Sequence, residues 1–133
     1  MKISGGCYCG DIRYTAEGEP SMVAQCHCRE CQYITGGGPN HFIAMPLEGF
    51  EYSQGTPDSF KRSDLENPVT REFCSNCGTA LGTRAPGFPA MIIKVGTMDD
   101  PGMYEPGVAI FTCDKQSFHN VPEGMPAFEK MPG

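Results

Sequence analysis

The sequence predicts a mostly β, sandwich-like fold of short antiparallel strands. Seventeen glycines and twelve prolines are spread along 133 residues, so no apolar run is long. Each candidate apolar run is bounded by Gly, Pro, Asn or Asp, as strands between tight turns should be. No extended 3.6-residue apolar face is present, which argues against a helical core. The length suits one domain over residues 1–133, with a core over about 3–120 and an extended tail over 121–133.

Taken in order, the candidate strands are residues 11–16, 21–26, 41–45, 50–53, 59–62, 70–73, 80–83, 91–95 and 108–112. In the first, Ile12, Tyr14 and Ala16 alternate with Asp11, Arg13 and Thr15, the pattern of a half-buried strand. Met91-Ile92-Ile93 is uniformly apolar and suits a central strand. Residues 29–34 can form one helical turn. Residues 63–68 are polar and turn-rich, hence a surface loop. The tail carries three prolines and is expected to be extended, either lying over the sheet through Phe128 or loose.

The formal charge is −6, and becomes about −9 if seven cysteine thiolates hold two divalent ions. Such a surface repels nucleic acid and anionic membranes, and Lys61-Arg62 is the one adjacent basic pair. No apolar run approaches the ~20 residues of a membrane span. The first residues, Met1-Lys2-Ile3-Ser4-Gly5-Gly6, carry no apolar stretch of a secretory signal. The expected location is cytoplasmic, where thiols stay reduced and eight cysteines point to metal rather than crosslinks.

The cysteines fall in three groups and one remainder. Cys26-His27-Cys28-Arg29-Glu30-Cys31 places three thiols in six residues. Cys7-Tyr8-Cys9 and Cys74-Ser75-Asn76-Cys77 together offer four. Short C-x-C and C-x-x-C turns present two sulfurs to one ion, and zinc favours thiolate sulfur. Glycine follows both Cys9 and Cys77, where the backbone must turn about the metal. Four thiolates make a closed structural site, and three leave the open position of a catalytic zinc. Spacing alone also permits Cys7, Cys9, Cys26 and Cys28 on one ion, with Cys31 joining Cys74 and Cys77. The compact trio is preferred because one loop supplies all three sulfurs. Cys113 is expected to be a small buried hydrophobe. His27, between two ligands, is expected to point away from the ion.

With these residues in place, the chain resembles the family of glutathione-dependent formaldehyde-activating enzymes, which also includes the centromere protein V domain. The matching stretches are Gly6-Cys7-Tyr8-Cys9-Gly10, Ile12-Arg13-Tyr14, Cys26-His27-Cys28-Arg29-Glu30-Cys31-Gln32, Gly55-Thr56-Pro57, Arg71-Glu72-Phe73-Cys74-Ser75-Asn76-Cys77-Gly78-Thr79 and Gly96-Thr97-Met98-Asp99-Asp100-Pro101. They span roughly residues 5 to 112. The resemblance implies an all-β, sandwich-like fold carrying two zincs. It implies that Cys7, Cys9, Cys74 and Cys77 hold the structural ion, and that Cys26, Cys28 and Cys31 hold a labile, substrate-facing one. Similar proteins tend to carry a tryptophan soon after the last strand; this chain has none and offers Phe118-His119.

The implied activity is that of a carbon–sulfur lyase forming and cleaving S-hydroxymethylglutathione, with a small thiol such as glutathione as partner. An open zinc lowers the pKa of an external thiol and delivers a thiolate at neutral pH. The carboxylates of glutathione call for basic partners, and Arg29, Arg71 and Lys94 are the candidates, with Asp99 as a donor-orienting or proton-transferring group. Two other functions fit the same cysteines: a non-catalytic zinc-stabilised binding module, which needs a fourth ligand at the trio, and a thiol- or redox-sensitive zinc protein.

Overall fold

The computed structural model of the protein describes residues 1–132. Over these residues the chain forms strands β1 (Lys2–Gly6), β2 (Arg13–Glu17), β3 (Met22–Cys26), β4 (Asn40–Pro46), β5 (Phe50–Gln54), β6 (Asp58–Phe60), β7 (Thr70–Phe73), β8 (Ala80–Arg84), β9 (Ala90–Lys94) and β10 (Val108–Ile110). Helix α1 (Arg29–Thr35) stands between β3 and β4. Two sheets result. The small one has the order β1-β2-β5, and the large one β10-β3-β4-β9-β8-β7-β6.

Alternation along the strands of the large sheet divides its side chains between two faces. Ile43, Met45, Met91 and Ile93 face the small sheet and pack with its Ile3, Tyr14 and Ala16. Phe42, Ala44, Ala90 and Ala24 lie on the opposite face, with Cys26 and Cys31. One side of the large sheet therefore carries the core, and the other carries the trio. Leu81 joins the inter-sheet core although its strand neighbour Thr83 lines the other face. The register slips at this point, Glu72 facing Gly82 while Phe73 faces Ala80, and the extra residue in β8 re-aims Leu81.

All nine expected strand regions are occupied, with ends moved by at most two residues. β1 lay outside the expectation, since Ile3 is its one large apolar residue and Ser4, Gly5 and Gly6 read as turn. The strands are not all antiparallel, because β10 runs parallel to β3. From β9 the chain crosses β4 and β3 through a connection of about a dozen residues, the length a parallel crossover requires.

The tail docks by its backbone. Ala109 N–H donates to the Pro126 carbonyl (2.9 Å) and Phe128 N–H to the Ala109 carbonyl (2.9 Å). Phe111, Thr112 and Cys113 donate in turn to carbonyls of Lys130, Phe128 and Glu129. Phe128 itself stays part-exposed at 37 %, so its ring is not what anchors the segment. The tail blunts the β10 edge. Cys113 corrects an expectation: it lies exposed in the short turn Thr112–Asp114, because β10 ends at Ile110 before reaching it.

Candidate metal centres and cavity

Cys7 and Cys9 sit on the turn between β1 and β2, and Cys74 and Cys77 on the turn between β7 and β8. Their four sulfurs lie within 4.8 Å of one another. The Cys7–Cys9 and Cys9–Cys74 sulfur distances are 3.6 and 3.8 Å. Tetrahedral zinc with Zn–S of 2.3 Å places its sulfurs about 3.8 Å apart, so the spacing fits. The two turns are built alike. Gly10 N–H donates to the Cys7 carbonyl (3.2 Å) and Gly78 N–H to the Cys74 carbonyl (2.8 Å). Both glycines are left-handed, at φ 86 and 79. Ile12 N–H points at the Cys7 sulfur (3.3 Å), and the Thr79 hydroxyl, 3.1 Å from Cys77, pulls that thiol down to about 6. Both contacts favour thiolate, the ligating form.

The other three sulfurs also gather within 4.8 Å of one another. Cys26 ends β3, Cys28 caps α1, and Cys31 lies in the first turn of the helix. The extended backbone of Cys28 turns its sulfur to accept from Cys31 N–H (3.3 Å). Hydrogen bonds from Cys26 and Cys31 drive the Cys28 thiol down, while the bond to Cys28 drives Cys26 up. The three thiols are therefore coupled and titrate as one group. Gln32 fixes the helix, its amide donating to the carbonyls of His27 (2.9 Å) and Asp114 (3.0 Å).

His27 points away from the trio into a buried relay. His119 Nε2 donates to the Gly37 carbonyl (2.7 Å), so its Nδ1 accepts, from His27 Nδ1–H (2.9 Å) and Gln116 N–H (3.3 Å). His27 Nε2 accepts from the Gln25 amide (3.0 Å), whose second hydrogen reaches the Asn120 carbonyl (2.8 Å). Burial, and then His119, hold His27 down to about 4, a neutral ring at physiological pH. Phe118 is 72 % exposed, while its neighbour His119 carries the contacts.

Among the described residues, no fourth His, Cys, Asp or Glu atom joins the trio at ligating distance. The trio opens instead on a cavity of about 350 Å³. Met22, Phe42, Phe88, Ile92, Ile110 and Phe111 line it, and Glu30, Asn40, Arg71 and Thr83 are its polar side chains. A larger hollow of about 630 Å³ lies over the small sheet between Lys2, Thr15 and Glu51, with neither cysteine nor histidine in its wall.

Of the basic residues expected near the site, Arg71 reaches the cavity and pairs with Glu30 (3.0 Å). Lys94 stands behind Asn40, donating to its Oδ1 (2.8 Å). Burial pulls Lys94 down to about 8, and the three cysteines oppose that shift. Arg29 turns outward over the Tyr33 ring (5.0 Å) and bonds Gln32. Asp99 is engaged elsewhere, with Arg13 (2.5 Å) and the Ser4 hydroxyl (2.8 Å). Arg13 and then Ser4 hold its carboxyl down to about 2.

Residues 2–114 match the family model described as glutathione-dependent formaldehyde-activating enzyme. The chain belongs to this family. A relative in the glutathione-dependent formaldehyde-activating enzyme family comes from Halomonas elongata and bears the name "Putative glutathione-dependent formaldehyde-activating enzyme". It is 24% identical over 116 residues, covering 80% of this chain and 71% of that protein. A crystal structure of a Rhodobacter sphaeroides protein superposes with a TM-score of 0.60 at 14% identity. The match covers 94% of this chain and 98% of that one, and establishes the shared fold.

Asn40 and the apolar lining escaped sequence reasoning. The cavity walls come from segments between Met22 and Met131, and no local spacing marks them as one surface. Asn40, following Gly36-Gly37-Gly38-Pro39, reads as a turn residue and instead opens β4.

Proposed function

We propose that the protein is a zinc-dependent carbon–sulfur lyase-type enzyme, acting in the cytoplasm on glutathione or a similar thiol and its hydroxymethyl adduct. Cys7, Cys9, Cys74 and Cys77 would hold a structural zinc, and Cys26, Cys28 and Cys31 a second one. The observation that carries this reading is that, among the described residues, the trio has no fourth ligand and stands beside a cavity large enough for a small thiol. Zinc held there supplies an open coordination position that lowers the pKa of an incoming thiol.

The chain's own groups do the rest. Arg71, at the cavity wall, is placed to meet a carboxylate, and Glu30 keeps its guanidinium in position. Lys94, held down to about 8 by burial, donates to Asn40 and keeps that amide in the cavity wall. The apolar walls keep water from competing for the carbonyl carbon. Arg29 and Asp99 stand outside this machinery and serve structure instead.

Native mass spectrometry of the metal-replete protein with and without glutathione tests the reading. Two zincs, with a glutathione adduct absent in Cys28→Ser, are expected. Two inert zincs would make the protein a binding module, and zinc loss to mild peroxide without adduct formation would favour a redox-sensitive site.

A further inference from the structure

The cavity over the trio is walled mostly by apolar side chains. Glutathione brings two carboxylates and an ammonium group. Among the described residues lining the cavity, Arg71 is the one cation, enough for one carboxylate. A second carboxylate would be desolvated against Phe42, Phe88 and Ile92 without a partner. An apolar substituent would gain from the same walls.

Phe111 strengthens the point. It is the one non-glycine with positive φ among the described residues, at 55. A bulky side chain in the left-handed region is strained, and it persists only where neighbouring structure over-determines it. Here the end of β10 and the tail clamp it, Phe111 N–H reaching the Lys130 carbonyl (3.2 Å) and Thr112 N–H the Phe128 carbonyl (3.1 Å). The result is an aromatic wall held in the cavity, with Met131 of the same tail beside it.

We propose that the trio cavity takes a hemithioacetal whose carbon skeleton is apolar, contributed by a hydrophobic thiol or a hydrophobic aldehyde, with Phe111 setting that specificity. The proposal rests on the open-trio reading above. In the forward step the thiol sulfur attacks the carbonyl carbon and a C–S bond forms. The C=O π pair moves to oxygen, which takes the proton the thiol gave up. Cleavage reverses each movement, and nothing is oxidised or reduced.

Titration calorimetry of the metal-replete protein with benzyl mercaptan and with glutathione reads binding directly. A second arm uses NMR to follow adduct formation from benzyl mercaptan with formaldehyde, and from glutathione with phenylacetaldehyde or formaldehyde. At least about tenfold preference for the apolar member of either pair is expected, equivalent to about 1.4 kcal/mol. The arm that shows it identifies which partner brings the apolar group. Phe111→Gly suits the left-handed backbone and should fold, and it should cut the preference several-fold; Phe88→Ala checks the same wall independently. Glutathione and formaldehyde favoured in both arms would overturn the apolar specificity while leaving the open site standing. No binding of either thiol would overturn both.

Discussion

Glu72 is the residue at which burial and charge meet most sharply. It is 9% exposed and accepts from the Tyr52 hydroxyl (2.6 Å) and Arg84 Nε (2.6 Å). Removing the carboxylate strands the half-buried Tyr52 hydroxyl, which is costly, while Arg84, 39 % exposed, can turn to water. Glu72→Ala should therefore lower unfolding free energy by about 2 kcal/mol in urea. A loss below about 0.5 kcal/mol would mean that water replaces the carboxylate freely. Asp99 gives a contrasting case, since its side chain is half exposed and the ion pair with Arg13 is screened. Its carboxyl is held below the ordinary value, so the native state favours the charged form. That contribution is complete above about pH 4 and disappears as pH falls toward 2. Asp99→Asn should cost less than about 1 kcal/mol at neutral pH and flatten the acid limb relative to the parent. Identical limbs in both proteins would refute the assignment.

At the scale of elements, the two cysteine turns depend on Gly10 and Gly78. An added Cβ would meet nothing within 4 Å at either position, so the cost of a side chain there is conformational alone. Gly78→Ala is expected to cost about 1 kcal/mol, and Gly78→Asn less, because asparagine tolerates the left-handed region better. Equal losses for the two would point to a steric cause. Most elements could be read from sequence because turn residues bracket each strand, and 70–73 matched to the residue. The cysteine turns were legible for the same local reason. β1 was not, because pairing with β2 rather than composition makes Ser4-Gly5-Gly6 a strand. Cys113 misled because Val108-Ala109-Ile110-Phe111 reads as a longer strand than the left-handed Phe111 allows. Cavity shape is a long-range property. Ile110 was legible as a strand residue, but its position beside Cys26 follows from a parallel crossover that no local pattern encodes.

Over the whole molecule, the four-cysteine group joins a turn of the small sheet to a turn of the large one. An ion there closes a long loop, and binding becomes part of folding. Cys77→Ser should lower thermal stability strongly, by several kcal/mol, and lower it further on chelation. Cys28→Ser should shift melting far less, by about 1 kcal/mol, while thiol binding disappears. Comparable melting losses in the two variants would show that both groups carry the fold. The two groups also lie on opposite faces of the large sheet and share no residue. The practical consequence, where both groups hold metal, is a hybrid: brief exposure to a mild chelator should strip the three-sulfur group first, and refilling with cobalt would leave the original ion in the other. Such a protein would carry a coloured reporter at the three-sulfur group alone, and its visible spectrum would follow any molecule that coordinates there.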